Sequence, residues 1–215
     1  MLVLYHGEFP DSSLLYTISS RAARFCYAKG MNKNLLVVLF SNYGAVISIG
    51  FFTPIFALYI VELGGNIADV GLATAIYYIA GGGLMLLLRS LMNKNTSLLR
   101  WYVWGNVLES VAAILFIFAQ SVLVFYVIQT VHALATAFRV PSQRALYAKL
   151  EDKGKEGGEW SVMEGGNFII IGLSALAGGA VVYYLNFQTV FVMMAVIQLL
   201  AALYALRLKA RISAA

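Results

Sequence analysis

Long stretches without a charged residue alternate with short clusters of charge. Between Lys33 and Glu62 runs NLLVVLFSNYGAVISIGFFTPIFALYIV, and between Asp69 and Arg89 runs VGLATAIYYIAGGGLMLLL. From Arg100 to Arg139 the only charge is Glu109, and from Glu164 to Arg207 there is none. A helix rises about 1.5 Å per residue and the hydrocarbon core of a bilayer is about 30 Å thick, so one crossing takes roughly 20 apolar residues. The first two stretches therefore give one crossing each. The other two are too long for one and must fold back, at Gln120-Ser121 and at Asn186-Phe187-Gln188. The pattern predicts six spans, at about 35–61, 70–88, 101–119, 122–139, 164–185 and 188–206. They form a 34–206 bundle, flanked by tails at 1–33 and 207–215.

Composition agrees. The chain is 61% hydrophobic and only 12% charged, with a mean hydropathy of +0.80, well outside the range of soluble domains. The expected class is an all-α integral membrane protein whose first partner is the lipid bilayer. The lone cysteine, Cys26, allows no intrachain disulfide and fits no zinc or redox spacing.

The net charge of +5 would suggest a nucleic-acid partner in a soluble protein, but here its placement matters more. All 15 Lys and Arg precede span one, separate spans two and three, separate spans four and five, or follow span six. The opposite loops carry only Glu62 and Asp69. That segregation predicts cytoplasmic N- and C-termini, and no nucleic-acid partner is expected. The charged insert AFRVPSQRALYAKLEDKGKEGGEW at 137–160 then holds the largest cytoplasmic loop, at about 140–160, between two three-span halves. The N-terminal thirty residues make a poor signal peptide. Residues 14–27 suit a short amphipathic surface helix, or the tail is dispensable and Met31 opens the functional chain.

Small residues in span two (Gly81-Gly82-Gly83) and span five (Gly172, Ala175, Gly179) suit close helix packing, and equally suit bending during a conformational cycle. Pro54 and Pro141 each free a backbone carbonyl. Intramembrane polar groups are costly and so are functional candidates. Glu109 and His132 stand at about equal distances from the Gln120-Ser121 turn. Antiparallel spans would therefore bring them to one depth, where they exchange a proton, pair as ions, or are satisfied by other helices. Asn42, Tyr43, Tyr59, Tyr77, Gln129 and Asn167 are candidates to line a cavity, as is Arg139, which can also snorkel to the cytoplasmic interface. A rhomboid-like protease is disfavoured, since Gly172-Leu173-Ser174-Ala175 lacks the second glycine. HExxH, Walker and CxxC motifs and a filter-like segment are missing. Neither an enzyme, a metal nor a cofactor is expected.

Six spans as three plus three, with both ends inside, resemble one half of a major facilitator superfamily transporter. The first hairpin, FFTPIFALYIVELGGNIADVGLATAIYYIAGG, and ALATAFRVPSQRALYAKL before the glycine-rich fifth span carry the likeness over residues 31–211. The resemblance implies transport of a small solute across a cell membrane by alternating access. It also implies a cavity lined mainly by helices one, two, four and five, which weighs against Glu109 as a substrate contact and leaves it a proton-coupling candidate with His132. In the family an Asp-Arg motif between helices two and three latches the halves; here Asn93-Lys94 stands in its place. Members usually have twelve spans. Two copies are then expected to pair, or a second chain supplies the other half, or the chain is a fragment. A non-transporting membrane subunit is the other reading.

Overall fold

The computed structural model describes residues 31–92 and 98–208. The tail at 1–30 with its 14–27 segment, the Asn93-Lys94 pair and residues 209–215 lie outside them. The described residues form six α-helices: α1 Lys33–Glu62, α2 Ile67–Met92, α3 Leu98–Ile117, α4 Val122–Leu150, α5 Glu156–Tyr184 and α6 Phe187–Ala205. All but α3 are long and apolar enough to cross a membrane on length and composition. α3 has 20 residues, about 30 Å of helix, but Arg100, Asn106 and Glu109 lower its hydropathy.

The polar breaks in the pattern act as helix caps. The Ser121 hydroxyl accepts from the Val124 amide at 3.4 Å, and the Asn186 side chain accepts from the Thr189 amide at 2.8 Å. Each satisfies a donor that a helix start leaves open. α1 ends at Gly64, whose φ of +84° only glycine adopts freely. Gly64 and Gly65 return their amides to Val61 and Ile60, closing the turn. At the start of α2, Asn66 Oδ1 accepts from the Ala68 amide while Asp69 accepts from the Asn66 amide, a reciprocal cap. Tyr126 donates to the other Asp69 oxygen at 2.6 Å, tying α2 to α4.

One expectation is corrected. The 140–160 segment is not a loop: α4 runs on to Leu150, α5 begins at Glu156, and only residues 151–155 connect them. Charge marks where lipid ends, whereas helix ends are set by propensity and capping. Gln143-Arg144-Ala145-Leu146 and Ala148-Lys149-Leu150 are strong helix formers, so the helix runs on past the apolar stretch. The turn comes at Gly154, again at φ +84°. It is held by Trp160 Nε1 on Glu151 at 2.6 Å and by the Asp152 amide on Glu159 at 3.0 Å.

Packing crosses between the two halves of the chain. α3 packs on α4 and α6, α1 on α5 and α6, and α2 on α4 rather than on its neighbours in sequence. Paired contacts give the directions. Ser41 and Ser48 of α1 donate to Ala201 and Met194 of α6, an antiparallel pair, while α1 and α5 run parallel. Lipid supplies no hydrophobic drive between helices, so small residues and hydrogen bonds hold them. Among the α5 residues that touch α1 are Ser174 and Gly178, a small pair one position before the Ala175/Gly179 pair that the spacing suggests. α2 and α5 leave most of their apolar surface uncovered.

Two clusters fill the core. One gathers Phe52, Tyr59, Phe116, Phe125 and Phe191 toward the Glu62 end of α1, and the other gathers Leu35, Tyr102, Tyr147 and Met163 toward the Lys33 end. In the first, the buried Tyr59 hydroxyl donates to the Phe116 carbonyl at 2.7 Å, near the end of α3, where that oxygen also accepts the Ala119 amide at 3.2 Å. Tyr59→Phe is expected to lower stability by about 1 kcal/mol, read as an earlier midpoint in an SDS unfolding titration. An unchanged midpoint would show that the bond adds nothing.

Candidate functional site

A cavity of about 270 Å³ opens among α1, α2, α3, α4 and α6. Its walls are largely aromatic: Phe52 and Phe56 from α1, Tyr77 and Tyr78 from α2, and Phe116 from α3. His132 of α4 sits against three of these rings, with centroids 4.9 Å from Tyr77 and 6.1 Å from both Phe52 and Phe116.

The acidic group is Glu109, 4% exposed. Arg139 Nε donates to its Oε1 at 2.6 Å and the Thr136 hydroxyl at 3.1 Å, while Gln198 Nε2 donates to Oε2. Because Thr136 spends its proton on Glu109, the Tyr77 hydroxyl must donate to Thr136 Oγ1, at 3.0 Å. One carboxylate thus links α2, α3, α4 and α6. Its buried ion pair survives in a low dielectric because both oxygens are hydrogen-bonded. The pair is polarised across the wall: Glu109 lines the cavity, and Arg139 lies behind it. Gly105 makes this approach possible, since a Cβ there would stand 2.6 Å from the Arg139 amide nitrogen.

The candidates from sequence divide into two groups. Glu109, His132, Tyr77 and Gln129 meet at the cavity. Glu109 and His132 line the same cavity, but Glu109 bonds Arg139 and Thr136, about one helical turn along α4, while His132 Nδ1 faces Gln129 Oε1 at 3.3 Å. Arg139 does not snorkel. It is 4% exposed and committed to Glu109, because its side chain follows the Thr136 face of α4 inward. Tyr59 lies in the aromatic core. Asn42, Tyr43 and Asn167 form a separate cluster between α1 and α5. There Asn42 Nδ2 donates to Asn167 Oδ1 at 2.9 Å, and Tyr43 to the Val162 carbonyl at 2.8 Å.

Sequence reasoning missed Thr136, Gln198 and Ser48. His132, Thr136 and Arg139 fall at i, i+4 and i+7, one helical face, and that spacing was the available signal. The resemblance places helices three and six at the periphery, yet Glu109 of α3 and Gln198 of α6 both line this cavity. Among the described residues no three His, Cys, Asp or Glu side chains gather to hold a metal ion.

A family model described as Major Facilitator Superfamily matches residues 36–213. Comparison with curated proteins returned no match.

Proposed function

The chain belongs to the major facilitator superfamily, and on that premise we propose that its six helices form one half of an alternating-access transporter for a small solute, completed by a second copy. Members of the family are transporters rather than enzymes, and the chain is a multi-pass membrane protein. The observation that carries the reading is the cavity itself. It is walled by five helices, stands beside a buried charge network and opens past Tyr78 and Ile49, both exposed. A buried ion pair facing such a cavity is expensive unless it is used.

The exchanged packing supports a three-plus-three repeat. α2 packs on α4 as α5 packs on α1, so each triplet lends its middle helix to the other. The uncovered faces of α2 and α5 are where the second copy would lie. The segregation of Lys and Arg supports a cell-membrane protein with both ends in the cytoplasm.

Proton coupling runs through Glu109, with His132 close by in the same cavity. A proton on Glu109 removes the charge that holds Arg139, while Thr136, Gln198 and Tyr77 remain as neutral partners. The ion pair is then a switch between two arrangements of α3 and α4.

Two measurements test this. Proteoliposomes on a solid-supported membrane, screened with panels of sugars, amino acids, organic cations and organic anions, should give a solute-dependent current. Glu109→Gln should remove its pH dependence. If no solute produced a current above that of empty liposomes, the transport reading would be lost; an unaltered pH profile would end proton coupling. The mass in nanodiscs should be that of a dimer, and a stable monomer would remove the second copy.

A further inference from the structure

We infer that the cavity takes an organic ammonium: a protonated amine on an apolar, preferably aromatic, body. This rests on the reading of the cavity as the transport site and names its substrate class.

The argument is an account of donors and acceptors. The Ser48 hydroxyl donates to the Met194 carbonyl at 3.3 Å, Thr53 to Ile49 at 2.8 Å and Thr74 to Val70 at 2.8 Å. The Tyr77 hydroxyl donates to Thr136, and Gln198 Nε2 to Glu109. The four hydroxyls among them have spent their protons on the protein and keep only lone pairs for a ligand, while the Gln198 amide keeps one N–H. His132 faces an acceptor-only oxygen, Gln129 Oε1, so its Nδ1 carries a proton, and in the neutral ring Nε2 becomes another acceptor. Gln129 Nε2, the Tyr78 hydroxyl and the second N–H of Gln198 Nε2 are the donors that remain.

Against that shortage stands a surplus of acceptors. Gln198 is 3% exposed and lines the cavity, and its Oε1, itself covered in this state, has no hydrogen-bond partner among the described residues. A buried unmatched carbonyl costs free energy until a donor meets it. Beside it the Glu109 carboxylate lines the cavity while its arginine does not, and among the described residues no Lys or Arg lines the wall. The ligand therefore sees the negative end of the pair. The aromatic faces add a third preference for positive charge, through the ring quadrupole. Anions meet no cation here, and polyols meet too few donors. An ammonium supplies what the lining lacks, and its apolar body occupies the space between the rings.

The test uses three compounds of nearly one shape: 2-phenylethylammonium, phenylacetate and 2-phenylethanol. Radiolabelled 2-phenylethylammonium is equilibrated with the full chain in nanodiscs, empty discs are subtracted, and the other two serve as competitors. Saturable binding is expected, with phenylacetate failing to compete and the alcohol competing at least tenfold more weakly. Phe52→Leu, which keeps bulk but loses a π face, should weaken binding about three- to tenfold. Gln198→Met should weaken it to a similar degree. The Glu109→Gln/Arg139→Gln double variant, which leaves no charge unpaired, should lose it at least tenfold. If that variant does not fold, Phe52→Leu and Gln198→Met decide.

Equal competition by phenylacetate, or binding that these variants leave unchanged, would overturn the inference. Currents driven by another solute class, with no ammonium binding, would overturn the substrate class and leave the transport reading standing. Silence in both assays would remove the two together.

Discussion

Replacing Arg139 with methionine is expected to cost the fold about 3–5 kcal/mol, the range for removing one partner of a buried ion pair. The two side chains are 5% and 2% exposed and meet at 2.6 Å. Methionine fills much of the arginine's volume, so the loss is not mainly one of packing. Its source is Glu109, left as a buried carboxylate with two neutral donors, Thr136 and Gln198, where it had three partners. A second change separates this cause from a cavity effect. Glu109→Gln added to Arg139→Met removes the stranded charge and should recover most of the loss. The readouts are the thermal midpoint in mild detergent and the monodisperse fraction by size exclusion. Were the double variant as unstable as the single one, the charge would not be the reason.

Gly105→Ala is expected to be nearly as damaging, although it adds one methyl group. The new Cβ would stand 2.6 Å from the Arg139 amide nitrogen and 2.7 Å from its Cα and Cβ. Those atoms are the backbone of another helix, not the movable end of a side chain. α3 and α4 must separate, and parting them also draws Arg139 away from Glu109. A cost of about 3 kcal/mol is expected, at the upper end for overpacking. Gly172→Ala on α5 is the control: nothing lies within 4 Å of its Cβ position. There alanine should be neutral or slightly stabilising, because it favours helix over glycine. Equal losses at both positions would mean that helix flexibility, not contact, is what Gly105 supplies.

The parts of this structure that were legible in the sequence are those that depend on position along the membrane normal. Gaps between charges placed the polar turns correctly, and Ser121 and Asn186 cap the helices that follow them. The spacing from that turn put Glu109 and His132 at one depth, and both line one cavity. Rotation about the helix axis was less legible. An amphipathic helix reveals its rotation by having one polar face, but in lipid every face is apolar and the cue is gone. Glu109 therefore could not be assigned to Arg139, though the i+4, i+7 series on α4 pointed that way. Gln198 was overlooked for a related reason. It lies inside a run that was read only for its lack of charge, yet an uncharged amide in lipid is also an exception. The 140–160 segment failed differently, because a charged stretch can leave the membrane and still be helical.

The exchanged pairing of helices also bears on how the chain is made. α1 is synthesised well before the helices it packs against most closely, α5 and α6. At roughly 5–20 residues per second, the ribosome needs on the order of ten seconds or more to reach them. During that interval Ser48 and Asn42 lack the partners that satisfy them in the finished bundle, and Ser41 lacks its α6 acceptor and has only Tyr102 of α3. α2 waits for α4 in the same way, with the Tyr77 hydroxyl still unmatched. Nascent α1 and α2 must therefore be sheltered by the insertion machinery or back-bond to their own carbonyls. A ribosome stalled between α4 and α5 would leave α2 docked and α1 with an open, glycine-lined flank, a species suited to quality-control recognition.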